Sequence, residues 1–279
     1  MSAPVARRDE PYYTPLRITD APTAAPQIRR FEIQHDGYFE VNRLLAQDDA
    51  RNLNKPGSGY GLLISEQNGP AWSNDFVQSD LMFCPAANPA RLLTPIILPA
   101  SQILNVAFKT TGLTPVYNRF DAALLGVKRP FMSDATYRLA RQRPYFMYVT
   151  PFNRDFSGTT GADLDILIDR DGAFVVQSLC FVGGYNLTPG TDYDELGALR
   201  VQIRNMSRGG DPYFERPMGV FQVFGQKDIW QGPNRVLSPM IFGRNEVIRV
   251  EVTVDSTEAT LSATWKNIQF GFEGFKVKG

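Results

Sequence analysis

The chain has 279 residues, enough for two ordinary domains that each bury a core. A hydrophobic fraction of 43% excludes wholesale disorder, and no apolar run approaches the ~18 residues that a membrane span needs. Lys plus Arg and Asp plus Glu are both 29, so the broad basic surface of a general nucleic-acid binder is absent and no direct sequence-specific nucleic-acid binding is expected.

Residues 1–30 carry Pro4, Pro11, Pro15, Pro22 and Pro26, a spacing that forbids a helix and predicts an extended arm ordered by whatever it lies against. The opening residues lack the apolar core of a secretory leader. Pro11-Tyr12-Tyr13-Thr14-Pro15 is too aromatic for a purely solvated tail. Pro11, Tyr12, Tyr13 and Pro15 are therefore candidates for contact with a neighbouring subunit. From Ile28 to Leu45 the pattern is strand, turn and strand, with Phe31 and Ile33 alternating with polar neighbours, Asp36-Gly37 turning, and Phe39 and Val41 resuming the alternation. Ile33, Asp36, Gly37, Phe39 and Val41 recur as Ile168, Asp171, Gly172, Phe174 and Val176 at a constant offset of 135. Short strands are expected at Tyr60–Ser65 and Ala198–Ile203, each followed by an aromatic loop holding Trp72 and Phe76 or Tyr213 and Phe214.

The longest repeat follows. Arg91–Phe108 and Arg235–Val252 share an apolar pair, a Thr or Ser, a Pro, an apolar run, a polar turn and an alternating strand; Pro95 and Pro239 are 144 residues apart. Neither proline can donate to a ladder, so both are expected where the chain enters or leaves a sheet. In the second copy, Val247, Ile248, Val250, Val252 and Val254 keep the period of two, with Arg249, Glu251 and Thr253 opposite. Each copy closes on apolar-x-Gly-apolar-Lys, at Gly126-Val127-Lys128 and Gly274-Phe275-Lys276, offset 148. Such growth of the offset places the length differences in loops. Ser133–Gln142 is the one helix candidate, with Ser133 as cap, Asp134 in the first turn and Arg138 and Arg141 in the last. Arg143-Pro144-Tyr145-Phe146 then echoes Glu10-Pro11-Tyr12-Tyr13, and Ala140-Arg141 echoes Ala6-Arg7. Pro144, Tyr145 and Phe146 thereby join the contact candidates.

Many short β-branched and aromatic segments between Gly/Pro/Asn/Asp turns predict an all-β chain. The expected architecture is two tandem homologous antiparallel β-sandwich, jelly-roll-like domains with an extended N-terminal arm and one short linker helix. The expected boundaries are arm 1–30, first sandwich 31–132, linker 133–160 and second sandwich 161–279.

Chemistry has little to work with. His35 is the single histidine, sits in a predicted turn, and is replaced by Arg170 in the second copy, which argues against a nucleophilic constellation. Catalytic residues, cofactors and His/Cys metal sites are not expected. Asp163, Asp165, Asp169 and Asp171 admit a calcium reading but lack the glycine spacing and closing Glu of an EF-hand, and also fit a solvated strand face. Trp72, Trp230 and Trp265 fit core or interface packing better than stacking on a sugar; Trp72 and Trp230 are the stacking candidates. Cys84 and Cys180 occupy non-equivalent places in the copies and read as small buried hydrophobes.

Asp171-Gly172-Ala173-Phe174, Val223-Phe224-Gly225, Leu237-Ser238-Pro239-Met240-Ile241, Val247–Val250 and Gly274-Phe275-Lys276, with weaker versions in the first copy, resemble β-sandwich structural proteins of bacteriophage virions. Two tandem jelly rolls also look like double jelly-roll capsid proteins, whose trimers resemble hexagonal tiles. The resemblance implies a shell, decoration or collar component without catalysis, a homo-oligomer (trimer favoured) that also contacts other virion proteins, located in the virion after assembly in the host cytoplasm. A carbohydrate- or receptor-binding β-sandwich module, or a tail, collar or baseplate component of the virion, is the alternative.

Overall fold

The computed structural model describes residues 9–33, 37–47, 59–85, 91–112, 119–151, 156–158, 161–184, 197–226, 233–255, 257 and 261–278. His35, Trp230 and the Ala6-Arg7 echo lie outside them. The first unit runs through β1 (Glu10–Ile18), β2 (Gln27–Glu32), β3 (Tyr38–Gln47), β4 (Tyr60–Glu66), β5 (Val77–Gln78), the single turn α1 (Ser79–Met82), β6 (Cys84–Pro85), β7 (Ile96–Leu98), β8 (Ile103–Thr110) and β9 (Phe120–Arg129). Helix α2 (Asp134–Gln142) leads into the second unit. That unit holds β10 (Tyr145–Val149), β11 (Phe156–Gly158), β12 (Ala162–Leu167), β13 (Gly172–Gly184), β14 (Leu199–Asn205), β15 (Asp211–Pro212), β16 (Met218–Gly219), the turn α3 (Val220–Val223), β17 (Gly225–Gln226), β18 (Asn234–Phe242), β19 (Val247–Val254) and β20 (Leu261–Lys278).

The pairing explains the sequence repeat. In the first unit β1 pairs with β9, β2 with β8, β3 with β7 and β4 with β5, all antiparallel. This is one long antiparallel hairpin, outermost strands together and innermost strands together. Cross-pairs β3 with β9 and β4 with β8 roll it into two sheets, which makes a jelly roll. The second unit repeats every step: β10 with β20, β12 with β19, β13 with β18 and β14 with β16, closed by β13 with β20 and β14 with β19. The chain is all-β, two homologous antiparallel sandwiches in tandem.

Inside each sandwich the alternation works as read. Leu104, Val106 and Phe108 of β8 are buried, as are Ile248, Val250 and Val252 of β19. Each such side chain contributes about 1.5–3 kcal/mol on leaving water. The closing glycine has a specific cause. A register shift between Val41 and Arg43 in β3, and between Val176 and Ser178 in β13, marks a β-bulge at Asn42 and Gln177. Opposite each bulge lies the glycine, because the bulged backbone comes close: a β-carbon on Gly126 would stand 1.8 Å from the Glu40 carbonyl oxygen, and one on Gly274 1.9 Å from that of Val175. Pro95 immediately precedes β7, as expected, whereas Pro239 lies within β18, where the ladder is interrupted opposite the bulge at Gln177.

Of the expected arm, residues 9–30 are described, and their strands belong to the first sandwich instead of lying on a neighbour. Glu10–Ile18 is the outermost strand of its own sandwich, with Leu16 and Ile18 in the core, and Gln27–Glu32 belongs to the opposite sheet. Prolines are tolerated in β1 because it is an edge strand, and their four-residue spacing puts both nitrogens on the outer side. Likewise Tyr145–Val149, expected in the linker, is the equivalent edge strand of the second unit. The Pro-Tyr echo is off by one. Tyr12 faces Gly126, and the residue that faces Gly274 is Phe146, not Tyr145. Both rings then do the same thing: Tyr12 meets Phe39 edge-on at 4.9 Å, and Phe146 meets Phe174 edge-on at 6.4 Å. Helix α2 forms where predicted, its first turn capped by the Ser133 side chain, which accepts from the Thr136 amide at 3.2 Å.

Candidate assembly interface

Every residue of β10 is buried, although only alternate ones reach the sandwich core. Phe146 and Tyr148 point into the second core, while Tyr145, Met147 and Val149 belong with the first unit's core, together with Cys180 and Val182 of β13. The outer face of this sheet is therefore covered by the first unit, and the covering element is the segment from Trp72 through α1. The contact begins as edge pairing. The Met147 amide donates to the Trp72 carbonyl at 2.8 Å, and the Asn74 amide to that of Met147 at 3.3 Å, so Ser73 and Met147 form a parallel bridge. The Asn74 side chain continues it, accepting from the Val149 amide at 2.7 Å and donating to its carbonyl at 3.2 Å.

Behind this edge sit buried polar groups with dedicated partners. Gln269 is fully buried; its side chain accepts from the Gln78 amide at 2.8 Å and donates to the Phe76 and Thr150 carbonyls at 2.9 and 2.8 Å. Glu273 accepts from the Tyr145 hydroxyl at 3.0 Å and the Ser178 hydroxyl at 2.8 Å. Burial first, then the Glu273 charge, pushes the Tyr145 phenol well above its ordinary pKa, so it stays a donor. At the bulge, Thr94 donates to the Gln177 side-chain oxygen at 2.6 Å. Arg141 of α2 pairs with Glu66 of β4 at 2.6 Å. A buried surface with this many paired polar groups favours one geometry, because shifting it would orphan several of them at once.

The candidates separate accordingly. Trp72 is 2% exposed, packed in the first core, and so offers no sugar-stacking face. Tyr145 and Phe146 are spent inside the chain. Tyr12 is half-buried, whereas Pro11, Tyr13 and Pro15 remain exposed, Tyr13 by 71%. Cys84 and Cys180 are buried thiols, and Cys180 donates to the Gly271 carbonyl at 3.6 Å. Sequence reasoning missed Met147, Gln269 and Glu273. One signal existed: five successive apolar residues at 145–149 fit a strand buried on both faces.

The acidic run is held by cations of the protein itself. Asp165 takes Arg249 through two bonds of 2.7 and 2.9 Å, and Asp163 takes the same guanidinium at 3.3 Å. Lys276, of the closing motif, reaches Asp169 at 2.5 Å and Asp171 at 3.3 Å, with its ammonium 3.7 Å from the Phe146 ring centre. The bond from Arg249 holds the Asp165 carboxyl below its ordinary pKa. Stability from this pair is therefore present above the unfolded value of about 4 and lost as pH falls through the depressed folded value. Urea midpoints measured from neutral pH downward should fall below about pH 4, and Asp165→Asn should flatten that acid limb.

No family model matches the chain, and no curated protein matches it. Among solved structures, the CUB1-EGF-CUB2 domain of human MASP-1/3 aligns at 8% identity over 94% of this chain and 99% of that one, with a TM-score of 0.22. A secreted protein from Eubacterium rectale aligns at 8% identity over 90% and 69%, TM-score 0.26. The VP2 subviral particle of infectious bursal disease virus aligns at 11% identity over 95% and 71%, TM-score 0.24. Superpositions this loose carry no argument about function.

Proposed function

We propose that this protein is a structural component of a bacteriophage virion, a capsid-shell or capsid-associated subunit that works through assembly contacts with copies of itself and with other virion proteins. It has no catalysis of its own, and its place is the virion, assembled in the host cytoplasm. The observation that carries the reading is the joint between two jelly rolls that share one core strand order, packed head to tail through a buried surface with several side-chain hydrogen bonds across it. A head-to-tail contact uses a different surface on each partner, so it leaves one of each unused at the ends of the chain and builds rings when it closes. A trimer, with six jelly rolls around its axis, is the favoured closure. The resemblance of the repeated motifs to virion β-sandwich proteins supports the setting. Sedimentation velocity over a wide concentration range tests the assembly: a discrete species near three chain masses is expected, and a single-chain species throughout would overturn it.

A further inference from the structure

We infer, on the assembly reading above, that the joint between the two jelly rolls recurs between chains: the loop face of the second unit docks on the outer sheet face of the first unit of another copy. Strand registers identify both surfaces. Trp72 donates its amide to the Ile64 carbonyl at 2.8 Å and Tyr213 its amide to the Ile203 carbonyl at 2.9 Å, while Gln78 faces Gly61 as Gly219 faces Arg200. Tyr213–Gln222 is thus the second unit's version of Trp72–Leu81, the segment that covers the sheet within the chain. In the second unit nothing described covers it. It lines an open cavity of about 650 Å³ whose walls include Phe214, Glu215, Arg216, Pro217, Met218 and Gln222.

The receiving face is equally identifiable. Met147 faces Glu273, and Tyr13 faces Leu125, one residue before the closing glycine in both cases. Tyr13 therefore holds the place of Met147, and its amide faces the open edge as the Met147 amide faces Trp72. Pro11 and Pro15 hold the places of Tyr145 and Val149. The buried Met147 is 0% exposed, and its counterpart Tyr13 is 71% exposed, flanked by half-buried Leu45, Ala123 and Leu125. An exposed aromatic on an apolar sheet face is the usual anchor of a protein contact.

A second, independent observation comes from the bulge. Thr94 donates to Gln177 across the joint. Their register equivalents are Ser238 and Asn42, since Leu98 and Phe242 face Phe39 and Phe174. Asn42 has a buried side-chain oxygen with no hydrogen-bond partner, and Ser238 stands exposed beside Leu237, which is 104% exposed. The acceptor left over in the first unit and the hydroxyl left over in the second are the pair that the joint satisfies inside the chain.

The occupant is therefore a second copy of this chain, with Tyr13 bridging Phe214 as Met147 bridges Ser73. The test mixes two single variants of the full chain, Tyr13→Cys and Phe214→Cys, under mild oxidation. Bridged residues lie within the roughly 4.4–6.8 Å between Cα atoms that a disulfide spans. A two-chain band on a non-reducing gel, absent from either variant alone, is the expected result. Tyr13→Glu, on an exposed position that leaves folding intact, should weaken association by about tenfold or more. Oligomers that form without the cross-link, and that survive Tyr13→Glu, would overturn this contact and leave the assembly reading standing. A chain that never associates would overturn both.

Discussion

Gly274→Ala is expected to destabilise the protein by about 3 kcal/mol or more, a loss in the range kept for broken backbone or core features. The added β-carbon would stand 1.9 Å from the Val175 carbonyl oxygen, 2.9 Å from its carbon and 3.2 Å from the Val176 Cα. All three atoms are backbone of the bulge, so no side chain can swing away, and relief requires lifting β20 off β13. That movement would reach the joint, because Glu273 is the next residue and Gly271 lies close to Leu81 of the first unit. Gly197→Ala is the matched control: nothing lies within 4 Å of its added carbon, and its effect should stay within about 0.5 kcal/mol. Urea unfolding of both variants decides it. A Gly274→Ala midpoint equal to that of the control would contradict the bulge explanation of the closing motif.

Gln269→Leu, a change that nearly conserves volume, is expected to cost about 2–4 kcal/mol. It strips partners from the Gln78 amide and from the Phe76 and Thr150 carbonyls, all at the joint. A buried polar group left unsatisfied costs about 1–3 kcal/mol. Hydrogen exchange reports location as well as size: the amides of Asn74, Gln78, Met147 and Val149 should lose protection together, while those of β19, in the far sheet, keep theirs. Uniform loss across the chain, or no loss, would mean that Gln269 does not hold the units together.

The duplication was legible because it is written in local terms. Period-two strands, Asp-Gly turns, a proline just before β7 and a glycine opposite a bulge each leave a mark within a few residues. The edge strands were harder. Pro11 and Pro15 argue against a sheet unless the strand is known to be outermost, and that depends on β9, more than a hundred residues later. The one-residue error in the Pro-Tyr echo has the same root, since only the ladder reveals which ring faces the glycine. Trp72 was ambiguous for a related reason: an aromatic in a loop is buried or exposed according to what packs beside it, and its neighbour β10 is remote in sequence. The candidate contacts divided along the same line. Tyr13 and Phe146, paired in the sequence echo, end on opposite sides of their sheets, one outward and one in the core.

The proposed assembly uses one packing geometry twice, once within the chain and once between chains. An electron cryomicroscopy map of the assembled protein at side-chain resolution decides whether it does. Tyr13 of one copy is expected to pair with Phe214 of the next in the kind of parallel bridge that joins Met147 to Ser73, with Ser238 donating to Asn42 as Thr94 does to Gln177. An assembled particle in which the face around Tyr13 and Leu125 is open to solvent, or covered by a different surface, would contradict it.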